Sequence, residues 1–182
     1  MSIGDVFADG RYKVLHKLGF GGSSTIWLAR DSVSGMLVAL KILAAFKSTE
    51  PKDEIEELVI SRKLDTLISS TRNAARHNIQ TIKDSFIEEG PNGTHICLVS
   101  ELAGPSVFAM SFFGCEGRLE GSKRLRGDLA KNVAKQTAAA VELMHSAGLV
   151  HGGSLTLFHN SALLKFVALI RSNIVKRPFP GL

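Results

Sequence analysis

The sequence predicts an α+β fold, a five-stranded antiparallel sheet with one helix packed on it and then the first helices of an incomplete helical body. Three observations carry this. Up to Ser100 the chain alternates apolar and polar side chains in short runs punctuated by glycine-containing turns, the pattern of half-buried strands. One stretch inside that region, after Thr49-Glu50-Pro51, switches to a spacing near 3.6 residues. Beyond Glu101-Leu102-Ala103-Gly104-Pro105 the alternation stops, and Asp128 to Ser146 gives the clearest helical pattern in the chain.

The elements follow in order. Tyr12 to Leu18, Thr25 to Arg30 and Met36 to Leu43 read as three antiparallel strands, separated by Gly19 to Ser24 and by Asp31 to Gly35. Thr49, Glu50 and Pro51 supply helix-start chemistry, and Ile55, Leu58, Val59, Arg62 and Leu64 share one helical face. Ile79 to Ile87 and Thr94 to Ser100 complete the sheet, joined by Gly90-Pro91-Asn92-Gly93, where Asn-Gly tolerates the positive φ of a tight hairpin. Phe108 to Arg126 reads as loop with one short helix. Asp128 to Ser146 then places Leu129, Val133, Thr137, Ala140, Val141 and Met144 on one face, with Gly148 set to end it.

Composition narrows the function. The 182 residues carry a net charge of +5 and are 45% hydrophobic, enough for a cored domain. His151 to Leu182 has four basic residues and no acidic one, so the body before it is almost neutral and has no basic stripe of the kind that grips nucleic acid. Direct nucleic-acid binding is therefore not expected. Cys97 and Cys115 are too few and too far apart for a zinc site or a disulfide framework; Cys97 reads as a small core residue, and a reducing, cytoplasmic or nuclear setting is expected. The start Met-Ser-Ile-Gly-Asp has no signal-peptide character, and no apolar run approaches the ~18 residues of a membrane span, so no membrane association is expected.

The chemistry concentrates early. Gly19-Phe20-Gly21-Gly22-Ser23-Ser24-Thr25-Ile26-Trp27 is a glycine-rich turn between strands, and residues without Cβ let a backbone approach phosphates and present its N–H groups to them. A dinucleotide-dependent oxidoreductase is disfavoured, because its glycine loop opens a helix whereas Thr25 to Ala29 reads as strand. In Val38-Ala39-Leu40-Lys41 the alternation that buries Val38 and Leu40 puts Lys41 with Ala39 on the other face, within reach of phosphate oxygens. Glu54, Glu56 and Glu57 on the following helix could each pair with it.

Taken together, strand, glycine loop, strand, Val-Ala-Leu-Lys, acidic helix, hairpin and Leu98-Val99-Ser100-Glu101-Leu102 stand in the order of a protein kinase amino-terminal lobe. Tyr12 to Gly19, Ser24 to Asp31 and Gly90 to His95 resemble the fungal branch of the serine/arginine-protein-specific kinases, and the resemblance runs from about Gly4 to Gly152. It implies an amino-terminal lobe over 1–103, the start of a helical lobe over 104–152, and a basic, apolar tail without family character over 153–182. It further implies that Leu18, Gly19, Phe20, Gly21, Gly22, Ser23, Ser24, Thr25 and Ile26 cover ATP, with Ser24 where many kinases have the third glycine. Lys41 would hold the α and β phosphates and pair with Glu57; Ile26 and Ala39 would line the adenine pocket; Ser100 would stand behind the base, and the backbones of Glu101 and Ala103 would bond it. Intact relatives use Mg²⁺ and phosphorylate serines of Arg-Ser-rich proteins.

The resemblance stops inside the catalytic loop. Leu149-Val150-His151-Gly152 looks like its approach, but Gly153 stands where the carboxylate that accepts the hydroxyl proton belongs and Phe158 where the metal-binding Asn belongs. No aspartate follows Asp128, and Asp-Phe-Gly is absent, so no metal site is expected in this chain and only His151 remains of the catalytic loop. An abrupt break of this kind is what a retained intron, a frameshift or a truncated gene model produces, making the chain an inactive fragment. The competing reading, a non-catalytic pseudokinase interaction module, would keep the helical lobe and lose single residues. In a fragment, Leu129, Val133, Val141 and Met144 are expected to lack covering partners, with Ser161 to Val175, drawn as a helix, a partial substitute.

Overall fold

The computed structural model describes residues 2–49, 51–72, 74–103, 122 and 124–149. The tail 153–182, the Ser161 to Val175 helix and most of the connection after Gly104 lie outside the described residues. The chain divides into one unit built from Met1–Ser69 with Thr81–Leu102 and another containing Ser70–Gln80 and Ala103–His151.

The first unit is an antiparallel sheet of β1 (Val6–Phe7), β2 (Tyr12–Gly21), β3 (Ser24–Asp31), β4 (Leu37–Leu43), β5 (Ile82–Gly90) and β6 (Gly93–Glu101), in the order β1-β2-β3-β4-β6-β5. It has six strands rather than the five expected. The extra one arises because Asp9 and Gly10 take φ of 53° and 89° and the Arg11 amide donates to the Ala8 carbonyl at 3.1 Å, a type I′ hairpin turn that folds Val6 and Phe7 onto Lys13 and Tyr12. At the other hairpin the positive φ of +113° falls on Gly93 alone, not on Asn92. β5 starts at Ile82 rather than Ile79, because its pairing with β6 ends at Ile82 and Ser100 and a 3-10 turn occupies Ala74–Asn78.

α1 (Glu56–Ser70) follows a 3-10 turn at Lys52–Glu54. Thr49 does not cap it; its hydroxyl donates to the Phe46 carbonyl at 3.3 Å. The buried face also differs from the expected one. Leu58, Ser61 and Leu64 are buried, whereas Val59 is half-buried and Arg62 exposed.

The period-two alternation sends side chains to two apolar clusters. Tyr12, Val14, Trp27, Ala29, Val38, Leu40, Cys97 and Val99 form one, and Leu43, Ile96 and Leu98 form the other with Ile55 and Leu58. Leu40 is 0% exposed, which is worth about 1.5–3 kcal/mol of burial. Cys97 is the core residue the sequence implied, and burial pushes its thiol up to about 12.

The sheet curls strongly. Four strand spacings separate β2 from β5, about 19 Å in a flat sheet, yet the Tyr12 hydroxyl donates to Asp84 at 2.8 Å and the Tyr12 and Phe86 rings stack at 5.5 Å. Arg11 completes this clasp, donating to Asp84 at 2.8 Å and to both Asp31 oxygens at 3.1 and 3.2 Å. Hydrogen bonds from Arg11 above all hold the Asp31 carboxyl down to about 2. Burial, then the bond to Asp84, pushes the Tyr12 phenol above its ordinary value.

In the second unit, α2 (Gly127–Ser146) ends as expected at Gly148, which takes φ of +69° while the Gly148 and Leu149 amides return to the carbonyls of His145 and Met144, both at 3.0 Å. Asn78 Nδ2 donates to the Gln136 carbonyl at 3.4 Å. Leu129 and Met144 are buried, contrary to the uncovered surface expected of a fragment, and Val133 and Val141 are half-buried. No described helix is long and apolar enough to cross a membrane.

Candidate functional site

Register builds the site. Gly19 pairs with Ile26, Ile26 with Lys41 and Lys41 with Leu98, so one row crosses β2, β3, β4 and β6. The next row sets Leu28 beside Ala39 and Ala39 beside Ser100. Because alternate residues share a face, Ile26, Ala39, Lys41 and Ser100 lie on the same side of the sheet, opposite Trp27, Val38 and Leu40. Around Lys41 that side carries small and apolar neighbours.

Lys41 Nζ lies 2.6 Å from both Oε1 and Oε2 of Glu57, and the two side chains are 31% and 16% exposed. α1 thus returns across the sheet to neutralise the strand lysine. An ammonium has three donors; two serve Glu57 and one is left for an anion. Among the three helix acids, Glu57 is the partner, while Glu54 and Glu56 are exposed.

The glycine hairpin turns through Gly22 and Ser23 between the paired Gly21 and Ser24. Neither Gly19 nor Gly21 takes a positive φ, and a Cβ on either would meet nothing within 4 Å. Neither the backbone nor packing within the chain demands glycine at these two positions. The Ser23 carbonyl accepts the Ala44 amide at 2.9 Å, tying the hairpin tip to the end of β4.

The structure does not bring every expected residue to this face. Thr25 and Phe20 pair with each other, and Thr25 pairs onward with Ile42, which packs with the Trp27 cluster. Phe20 is 78% exposed there, with Lys17 Nζ 4.9 Å from its ring and 5.6 Å from that of Trp27. Leu18 sits in the register shift between Lys17 and Gly19 and is exposed. Glu101 ends β6, where it pairs with Val38, and Ala103 lies two residues beyond it. His151, Gly153 and Phe158 lie outside the described residues. Among the described residues, no three His, Cys, Asp or Glu side chains gather where they could hold a metal ion.

Sequence reasoning missed the groups that hold this arrangement in place. Ser61 accepts the Ile82 amide and Lys52 Nζ donates to the Ser85 carbonyl, both on β5. The signal for Ser61 was a small polar residue between Leu58 and Leu64 in an otherwise apolar stripe; Lys52 left none, because a lysine beside a proline ordinarily reads as solvated.

With this geometry in view, known proteins give a consistent comparison. The protein kinase domain family matches residues 12–152. Protein kinase dsk1 of Schizosaccharomyces pombe is 30% identical over 151 residues, 82% of this chain and 26% of that protein. Serine/threonine-protein kinase SKY1 of Saccharomyces cerevisiae is 29% identical over 81% of this chain and 19% of its own length. SRSF protein kinase 3 of Homo sapiens is 39% identical over 57% of this chain and 18% of its own length. The chain therefore spans at most 26% of the length of these relatives.

Proposed function

The chain belongs to the protein kinase domain family, and from that premise we propose that its first unit holds the phosphate and adenine side of an ATP site and binds nucleotide without transferring phosphate. The observation that carries this reading is the Lys41–Glu57 pair at 2.6 Å, set on the Ile26 and Ala39 face two strands away from Gly19. Lys41 offers its remaining N–H to a phosphate oxygen, the open space at Gly19 and Gly21 admits the phosphate chain, and the small side chains Ala39 and Ser100 leave room for a flat base. Mg²⁺, where bound, supplies charge compensation between phosphates. This chain has Gly153 and Phe158 where relatives bring a proton-accepting Asp and a metal-binding Asn, so affinity is weak and turnover absent.

We read 1–103 as the amino-terminal lobe, 104–152 as the opening of the helical lobe and 153–182 as a tail outside the family match; the match over residues 12–152 and the boundary between units at Leu102 and Ala103 support this, with Ser70–Gln80 grouping with the second unit. The serine/arginine-specific likeness supports Arg-Ser-rich proteins as the substrates of the whole protein, in the cytoplasm or nucleus. Titration of the full chain with a fluorescent ATP analogue tests the reading. Lys41→Ala is expected to weaken binding about tenfold; equal affinity for both chains overturns the assignment.

A further inference from the structure

Glu57 can meet Lys41 only if α1 is held at one rotation and one height above the sheet. Of the buried side chains of α1, Leu58 packs with Ile96 and Leu98, whereas Leu64 lies outside that cluster. Two polar contacts reach β5 instead. Ser61, 3% exposed, accepts the Ile82 amide at Oγ over 2.8 Å, and Lys52, just ahead of the helix, donates its Nζ to the Ser85 carbonyl. β5 is an outer strand of the sheet, and its pairing with β6 slips between Ile82 and Asp84. Both anchors therefore fall on the strand's backbone around that slip.

Their spacing brackets Glu57. Lys52 precedes it by five residues and Ser61 follows it by four, so Ser61 lies one turn along the same helix face, about 6 Å from Glu57. A rotation of α1 by only about 20° would carry a carboxylate some 6 Å from the axis through about 2 Å, enough to break a 2.6 Å contact. We propose that Ser61, with Lys52, is a positioning residue that fixes α1 on β5 so that Glu57 reaches Lys41. The effect runs through the helix.

The inference rests on the ATP-site reading for its functional meaning, but the test reads the ion pair without nucleotide. Trp27 is the only tryptophan and is 9% exposed in the sheet core, so its fluorescence follows unfolding of this unit in the full chain. A double-mutant cycle of Lys41→Met and Glu57→Gln gives the factor by which the pair multiplies the folding equilibrium. In Ser61→Ala that factor is expected to fall at least threefold and to recover in Ser61→Thr, which keeps the hydroxyl oxygen. An unchanged factor in Ser61→Ala, even with lower global stability, overturns the proposal, since a merely structural serine would shift the baseline and leave the coupling intact. Should Ser61→Ala not fold, the same cycle in Lys52→Met decides: a threefold smaller factor supports the bracketing, an unchanged one refutes it. Failure of the chain to bind nucleotide would count against the ATP-site reading alone.

Discussion

Replacing Tyr12 by Phe removes one oxygen from the clasp and leaves its stacked ring in place. The lost interaction is the phenol donating to the Asp84 carboxylate at 2.8 Å, and hydrogen bonds to charged acceptors contribute about 1.5–3 kcal/mol. Asp84 is 38% exposed and its Oδ2, which accepts from the phenol, also keeps Arg11 at 2.8 Å, so with water replacing the phenol the loss falls at the low end, about 1.5 kcal/mol. That is about tenfold in the unfolding equilibrium, or about a 1 M fall in the urea midpoint by Trp27 fluorescence. A second readout comes from pH. The folded phenol titrates above its ordinary value, so the stability it gives is complete below about pH 10 and falls as the unfolded chain begins to ionise above it. Tyr12 is the only tyrosine, so phenolate absorbance reports it alone. The parent should show no phenolate near pH 10 until it unfolds, and Tyr12→Phe should lose stability less steeply above that pH. A midpoint unchanged in Tyr12→Phe together with ordinary phenol titration in the folded parent would refute the clasp as a stabilising device.

Three further outcomes follow from the same geometry. Gly21→Ala should leave the unfolding free energy from urea titration within about 0.5 kcal/mol of the parent, because its Cβ meets nothing within 4 Å, yet weaken binding of the fluorescent nucleotide severalfold. Asp31 is held down to about 2, so the parent should lose stability as pH falls from about 4 toward 2, a loss missing from Asp31→Asn in urea midpoints measured across that range. Gly93→Ala combines φ of +113° with a Cβ 3.2 Å from that of Ala45, and calorimetry should show a cost of about 1–3 kcal/mol.

Much of the sheet was legible because burial of one face writes itself into alternation, as Val38 and Leu40 against Ala39 and Lys41, while β6, buried on both faces with Cys97 and Val99 in one cluster and Ile96 and Leu98 in the other, reads as a short apolar run. The first strand escaped because two residues cannot show a period, although Asp9-Gly10 between Phe7 and Tyr12 was itself a hairpin signal. The lysine and glycines of the candidate site were legible from type and spacing. Phe20 was not, because register decides which face a residue joins, and the shift at Leu18 is invisible in the string of letters. The clasp left no local trace either, since Arg11, Asp31 and Asp84 meet only when distant strands curl together.

That curl also sets an order of events in folding. The contacts of Arg11 and Tyr12 with Asp84 close 73 and 72 residues of chain, while the β2–β3 and β5–β6 hairpins close over two residues each. Loop-closure entropy rises with the length enclosed, so the ribbon assembles first and the seam joins afterwards. Unzipping runs the other way. The seam is the low-energy opening of the unit, and parting it wets the side of the sheet that carries Trp27 and Leu40. Lys41 and Glu57 face the other way, so this unit can breathe along its back while its charged front stays assembled.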